Sequence, residues 1–133
     1  MVFRLPQIED EAMLFDYVQE HCKNSETSIA ASRALTSQPF SDWVSRMHRN
    51  VQEGDETFGK SLMLLCMEKN RLIGLLSNRY DLPKELTKKI GDIGYGVCPS
   101  ERRKGYATNM LRHALGVCRD MGKREVVVGC YKD

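Results

Sequence analysis

Apolar and polar residues alternate along this chain in two periods, and the switches between them mark out the elements. Residues 2–5, VFRL, read as a short first strand stopped by Pro6. From Gln7 the spacing turns helical. Leu14, Phe15, Val18, His21 and Cys22 share one stripe, and Glu9, Asp10 and Glu11 crowd the first turn, where acids suit the positive end of the helix dipole. Residues 23–39, KNSETSIAASRALTSQP, lose the period and are rich in Ser and Thr. They predict a long connection with one helical turn near 29–35, and so long a connection in a compact domain is either a lid or a plain surface connection. A second helix is expected over 41–52, capped by Ser41, with Phe40, Trp43, Val44, Met47 and Val51 on its apolar face and Trp43 as a core anchor.

The second half changes to strands. SLMLLCME (61–68) and RLIGLLSNRY (71–80) are apolar runs joined by Lys69-Asn70, the pattern of a buried hairpin. DLPKELTKK is a polar connection broken by Pro83. IGDIGYGV (90–97) predicts a third long strand whose repeated glycines imply close approach by a ligand or another backbone. The strongest helix follows, with Ala107, Met110, Leu111, Ala114, Leu115 and Cys118 in phase and Gly122 just past its end. REVVVGCY (124–131) is another buried strand, so strand–helix–strand here implies a right-handed parallel crossover. The pattern is that of a mixed α/β chain.

Composition narrows the function classes. The 133 residues suit one domain, and 41% hydrophobic with 29% charged residues is a globular composition. A net charge of +2 gives no overall polyanion-binding character, so any anion site is local. No apolar run approaches the roughly 20 residues of a membrane span, and no secretory leader is visible. Five cysteines at wide spacing disfavour a disulfide framework and a zinc site, and predict reduced thiols in the cytoplasm. His21, His48 and His113 are scattered and read as helix-surface residues, so no metal is expected.

The stretch IGYGVCPSERRKGYATNML, residues 93–111, carries the chemistry. Arg102, Arg103 and Lys104 repel one another and sit at a helix mouth that prefers acids. The first N–H groups of that helix lack intrahelical partners, Gly105 lets a large ligand reach the backbone, and Ala107 is small enough for close packing. Together these describe a phosphate or pyrophosphate cradle. The P-loop pattern is absent, and Gly94-x-Gly96 has the wrong offset for a dinucleotide fingerprint.

Arg102-Arg103-Lys104-Gly105-Tyr106-Ala107 matches the [QR]-x-x-G-x-[GA] signature of the GNAT superfamily of acyl-CoA N-acyltransferases, which this chain resembles. Val97-Cys98-Pro99 matches the V-x-P ending of that family's fourth strand, and the order of elements agrees over most of the chain. The wording looks most like a bacterial-type subgroup of predicted acetyltransferases. The resemblance implies a mostly antiparallel mixed sheet with a splayed parallel pair at the cofactor site and flanking helices. It implies acetyl-CoA as co-substrate, with its pyrophosphate on the backbone N–H groups of Arg103, Lys104, Gly105, Tyr106, Ala107 and Thr108, Arg102 as a further cofactor-binding residue, and its pantetheine arm along Tyr95, Gly96 and Val97. A backbone N–H of that strand would polarise the thioester carbonyl, and a primary amine, of a small molecule or a peptide, would attack directly.

No general base or acid is identified. Asp92 is the nearest carboxylate and reads as a surface or capping residue. Cys98 has no histidine partner and reads as inert, and Lys88 and Lys89 read as solvated loop charges. Family members continue past a strand equivalent to 124–131 with a helix and closing strands. The expectation is therefore a single GNAT-like domain over 1–133 lacking those pieces, pairing or exchanging chains through the apolar edge from Glu125 to Tyr131. The alternative reading is a CoA-binding module with lost or reduced catalysis. A nucleic-acid partner is disfavoured by the low net charge and by the lack of aromatics between the basic residues.

Overall fold

The structure is a computed structural model that describes residues 1–26, 28–32, 35–54, 59–80, 85, 91–122, 126 and 128–129. Five strands form one sheet in chain order: β1 (Val2–Arg4), β2 (Ser61–Glu68), β3 (Arg71–Arg79), β4 (Ile93–Val97) and β5 (Val128–Gly129). The first four are antiparallel, and β5 pairs parallel to β4 through Ile93↔Val128 and Gly94↔Gly129. Helices α1 (Glu11–Lys23) and α2 (Phe40–Gln52) precede the hairpin, and α3 (Tyr106–Asp120) lies between β4 and β5. This is the mixed, mostly antiparallel architecture that the family resemblance implies.

β2 and β3 read as continuous apolar runs because both of their faces are covered. Met63, Leu65 and Met67 pack with Leu14, Tyr17, Trp43, Val44 and Met47 of α1 and α2. Leu64 and Cys66 pack on the other face with Met110, Ala114 and Cys118 of α3. The register slips between Cys66 and Met67, where Cys66 opposes Gly74 but Met67 opposes Leu72. The extra residue restores phase, so Leu72 and Leu75 both reach the α1–α2 face while Ile73 and Leu76 reach α3. Lys69 and Asn70 make the hairpin turn with φ of 49° and 66°.

Several boundaries and faces differ from expectation. α1 begins after a 3-10 turn, Ile8–Asp10, and buries Leu14, Tyr17, Val18 and His21. Phe15 is 61% exposed and Cys22 is exposed, because the buried stripe is centred one residue away from the expected one. His21 is therefore a buried residue and not a surface one. α2 starts at Phe40 with Pro39 as its N-cap, so Ser41 lies inside the helix and does not cap it. Asn50, not Val51, completes its buried face. β4 starts at Ile93, shorter than expected, with Ile90 outside the described residues. Leu115 is 42% exposed on α3. The expected turn near 29–35 is present in part: Ser32 N–H bonds Ile29 O and Leu35 N–H bonds Ser32 O. Most of 124–131, and with it the expected interchain edge, lies outside the described residues. No helix among the described residues is long and apolar enough to cross a membrane.

Candidate active site

The site is assembled where β4 ends and α3 begins. Two hydrogen bonds fix the phase of β4 against β3: Arg79 N–H donates to Asp92 O at 2.7 Å, and Cys98 N–H donates to Ile73 O at 2.8 Å. Alternation in an antiparallel ladder then turns the main-chain groups of 92, 94, 96 and 98 toward β3, and those of Tyr95 and Val97 toward the opposite edge. The described residues of β5 pair only with Ile93 and Gly94, so the Val97 N–H lies past them on that edge.

Gly96 serves the other face. A Cβ there would come within 3.3 Å of the Ala30 methyl and 3.9 Å of the Tyr17 hydroxyl. Tyr17 Oη donates to Gly96 O at 3.2 Å. The glycine thus admits the 23–39 connection and α1 close to the strand. Gly94 is similarly overlaid, by the Arg79 guanidinium, whose Nη2 would lie 2.8 Å from an added Cβ. The glycines expected to admit a ligand or a backbone admit the protein's own side chains on this face.

Beyond β4 the chain makes a 3-10 turn, Pro99–Glu101, passes Arg103 at a φ of 63°, and reaches Gly105 at a φ of 84°. Gly105 is the N-cap of α3, and space around its missing side chain is open to 4 Å. A left-handed N-cap favours glycine. No side chain caps the helix and no acid occupies its first turn. The donors of Tyr106, Ala107 and Thr108 therefore form the mouth, with the positive end of the dipole behind them.

The three adjacent cations do not act alike. Arg102 is clamped: its two terminal nitrogens donate to Glu26 at 2.6 Å each, and its Nε donates to Val97 O at 3.1 Å. Lys104 donates to Glu101 at 3.1 Å. Arg103 is exposed and has no acidic partner among the described residues. Hydrogen bonding from Arg102 is the main reason that the Glu26 carboxyl is held at about 2, with burial opposing and His21 and Asn24 assisting. The repulsion that makes this run unusual in the sequence is relieved by two distant or neighbouring acids.

The remaining candidates separate clearly. Cys98 is 2% exposed, and burial raises its thiol pKa, which is the inert behaviour expected. Asp92 is buried and not at the surface. Lys88 and Lys89 lie outside the described residues. Among the described residues no cluster of three or more His, Cys, Asp or Glu is placed to hold a metal. A cleft of about 410 Å³ opens beside the end of β4, lined by Met13, Tyr17, Glu20, Arg71, Leu72 and Cys98. Tyr17 and Glu26 escape the sequence reading. The spacing Leu14, Tyr17, Val18, His21 is itself a helical stripe and marks Tyr17 as inward-facing. Nothing local marks Glu26, whose partner lies 76 positions away.

With this geometry in hand, the comparison with known proteins is decisive for the family. The sequence matches the family described as acetyltransferase (GNAT) domain over residues 1–133. The chain belongs to the GNAT acetyltransferase family.

No curated protein matches this GNAT chain in sequence. Among solved structures it is similar to the microcin C7 self-immunity acetyltransferase MccE in complex with acetyl-CoA and AMP, at 19% identity and a TM-score of 0.61. The match covers 95% of this chain and 64% of that one, less than two thirds of its length, and the likeness is one of fold. The aminoglycoside 6'-N-acetyltransferase AAC(6')-IG from Acinetobacter haemolyticus aligns at 17% identity over 100% of this chain and 97% of that one, with a TM-score of 0.42.

Proposed function

We propose that this GNAT domain is an acetyl-CoA-dependent N-acetyltransferase that moves an acetyl group to a primary amine by direct attack. The observation that carries the reading is the uncapped, acid-free mouth of α3 directly following a strand whose Val97 N–H faces the outer edge. The residues fit the co-substrate. The N–H groups from Arg103 to Thr108 hold the pyrophosphate, helped by the Arg103 charge, and Gly105 leaves the backbone bare for it. The edge of β4 at Tyr95 and Val97 pairs with the pantetheine amides as a strand would, while Gly96 contributes the packing behind it. Acetyl-CoA supplies an activated acetyl thioester.

The Val97 N–H donates to the carbonyl oxygen, where negative charge develops as the amine attacks, and is worth most when water is excluded. The Val97 side chain is buried in the core, and Ala30 lies close over the neighbouring Gly96. The amine loses its proton to solvent or to a carboxylate within reach through water, and the thiolate leaves as free CoA. The acceptor is a small-molecule or peptide amine, and nucleic acid is not a partner. The four described cysteines are free thiols, which supports action in the reducing cytoplasm.

Thermal unfolding with and without CoA, followed by transfer of labelled acetyl to a panel of primary amines, tests the reading. Stabilisation by CoA with labelled product supports it. Stabilisation without product on any amine or on water would leave the CoA-binding module in its place, and no stabilisation would overturn both.

A further inference from the structure

Arg102 occupies the first position of the signature, yet its guanidinium is turned away from the α3 mouth and spent on the protein itself. Glu26 takes both terminal nitrogens at 2.6 Å, and Val97 O takes Nε at 3.1 Å. Glu26 is in turn held by His21 Nδ1 at 2.7 Å and by Asn24 Nδ2 at 2.5 Å. His21 is 3% exposed on α1, so the carboxylate is tied to a rigid element on one side and to the β4–α3 turn on the other. Four residues further on, Ala30 closes over Gly96, and Tyr17 Oη bonds Gly96 O. The start of the 23–39 connection is thus tied to Val97 through Arg102 and lies close over Gly96 at Ala30, while α1 itself bonds Gly96 through Tyr17.

We propose that Arg102 and Glu26 are positioning residues rather than phosphate ligands. Their bidentate pair fixes the outer end of β4, and therefore the Val97 N–H, and at the same time fixes the wall that the connection builds over that strand. A bidentate guanidinium–carboxylate pair with a third bond from Nε leaves little rotational freedom at Val97. Orientation of the reacting carbonyl depends on displacements smaller than an ångström, so loosening this clamp acts on the rate of acetyl transfer and not on the grip on CoA. The inference rests on the proposed acetyl-CoA reading for its kinetic part, while the clamp itself is a property of the unliganded chain.

The test uses Glu26→Gln, Arg102→Lys and Arg102→Gln in the full chain, with CoA as the binding probe and acetyl-CoA hydrolysis as the turnover probe. Affinity for CoA is expected to stay within about threefold of the parent in all three. Single-turnover release of CoA from acetyl-CoA is expected to fall about tenfold or more in Glu26→Gln and Arg102→Gln, with partial recovery in Arg102→Lys, which keeps one charged contact. Amide hydrogen exchange without any ligand is expected to rise at the bonded N–H groups of Ser25, Glu26, Ser32 and Cys98 in the same order. A loss of CoA affinity of about tenfold in Arg102→Gln, with exchange unchanged, would make Arg102 a phosphate ligand and overturn the proposal. Unchanged exchange and unchanged hydrolysis would also overturn it. Failure of the parent chain to bind CoA would sink the acetyl-CoA reading instead, while the exchange measurement would still decide the clamp.

Discussion

α1 and α3 begin in opposite ways. The turn before α1 carries its own anion: Asp10 accepts the Gln7 N–H at 2.7 Å and both Arg4 terminal nitrogens at 2.7 Å, with its carboxylate 8% exposed. Its pKa is lowered, chiefly by the bond from Arg4, against the opposing effect of burial. The mouth of α3 has no acid, no side-chain cap and a bare glycine in the left-handed conformation. Cations surround it, but two of the three are diverted to Glu26 and Glu101. Like α3, α1 has no side-chain cap, but it keeps Glu11 in its first turn and Asp10 just before it, where acids suit the positive end of the dipole. The acid-free first turn of α3, beside an Arg103 with no acidic partner among the described residues, supports the proposed anion site.

An acid placed at the α3 mouth gives the largest effect and splits binding from stability. Thr108→Asp puts a carboxylate in the first turn, where α1 already keeps one. It is expected to raise helix stability by about 0.5 kcal/mol. CoA affinity is expected to fall about 100-fold, close to 3 kcal/mol, in a calorimetric titration. Opposite signs in one variant are hard to obtain unless the mouth binds an anion.

Asp10→Ala makes the converse change at α1. It removes a buried carboxylate from Arg4 and Gln7 and is expected to cost about 2 kcal/mol in urea unfolding, with CoA affinity unaltered. Arg103→Gln ranks next. It should weaken CoA binding by roughly 1 kcal/mol and flatten its salt dependence, while leaving unfolding where it was. A large loss of stability there would mean that Arg103 has a structural partner.

The smallest effect is in acid. Glu26 titrates at about 2 in the folded chain against an ordinary value of 4.5. Its contribution is complete above 4.5 and is lost as pH falls toward 2, because protonation then removes the charge that holds Arg102. Asp10 is shifted in the same direction, so its contribution is also lost on the acid side. Glu26→Gln and Asp10→Asn should each flatten the fall in stability over that window. A parallel curve for Glu26→Gln would contradict the clamp.

Most of the sheet was legible because β2 and β3 are buried on both faces and leave unmistakable apolar runs, and Lys69-Asn70 closes them at the expected place. The α3 mouth was legible because Gly105 and the absence of acids are local features. The face of α1 was read one residue off, since Phe15 is as apolar as Tyr17 and only the packing against β4 chooses between them. The pairing of Arg102 with Glu26 was out of reach, because a bond across 76 positions leaves no trace in spacing. Of the three cations expected to add charge around that turn, Arg102 and Lys104 are held by acids, while Arg103 has no acidic partner among the described residues.

The central claim is that the open donors of α3 are the anion site of this GNAT domain. Backbone amide resonances followed through a titration with CoA test it directly. The largest shifts are expected at Gly105, Tyr106, Ala107 and Thr108, with a smaller one at Val97 and none at Glu9, Asp10 or Glu11. Shifts that spare residues 105–108 while CoA binds elsewhere would contradict the account.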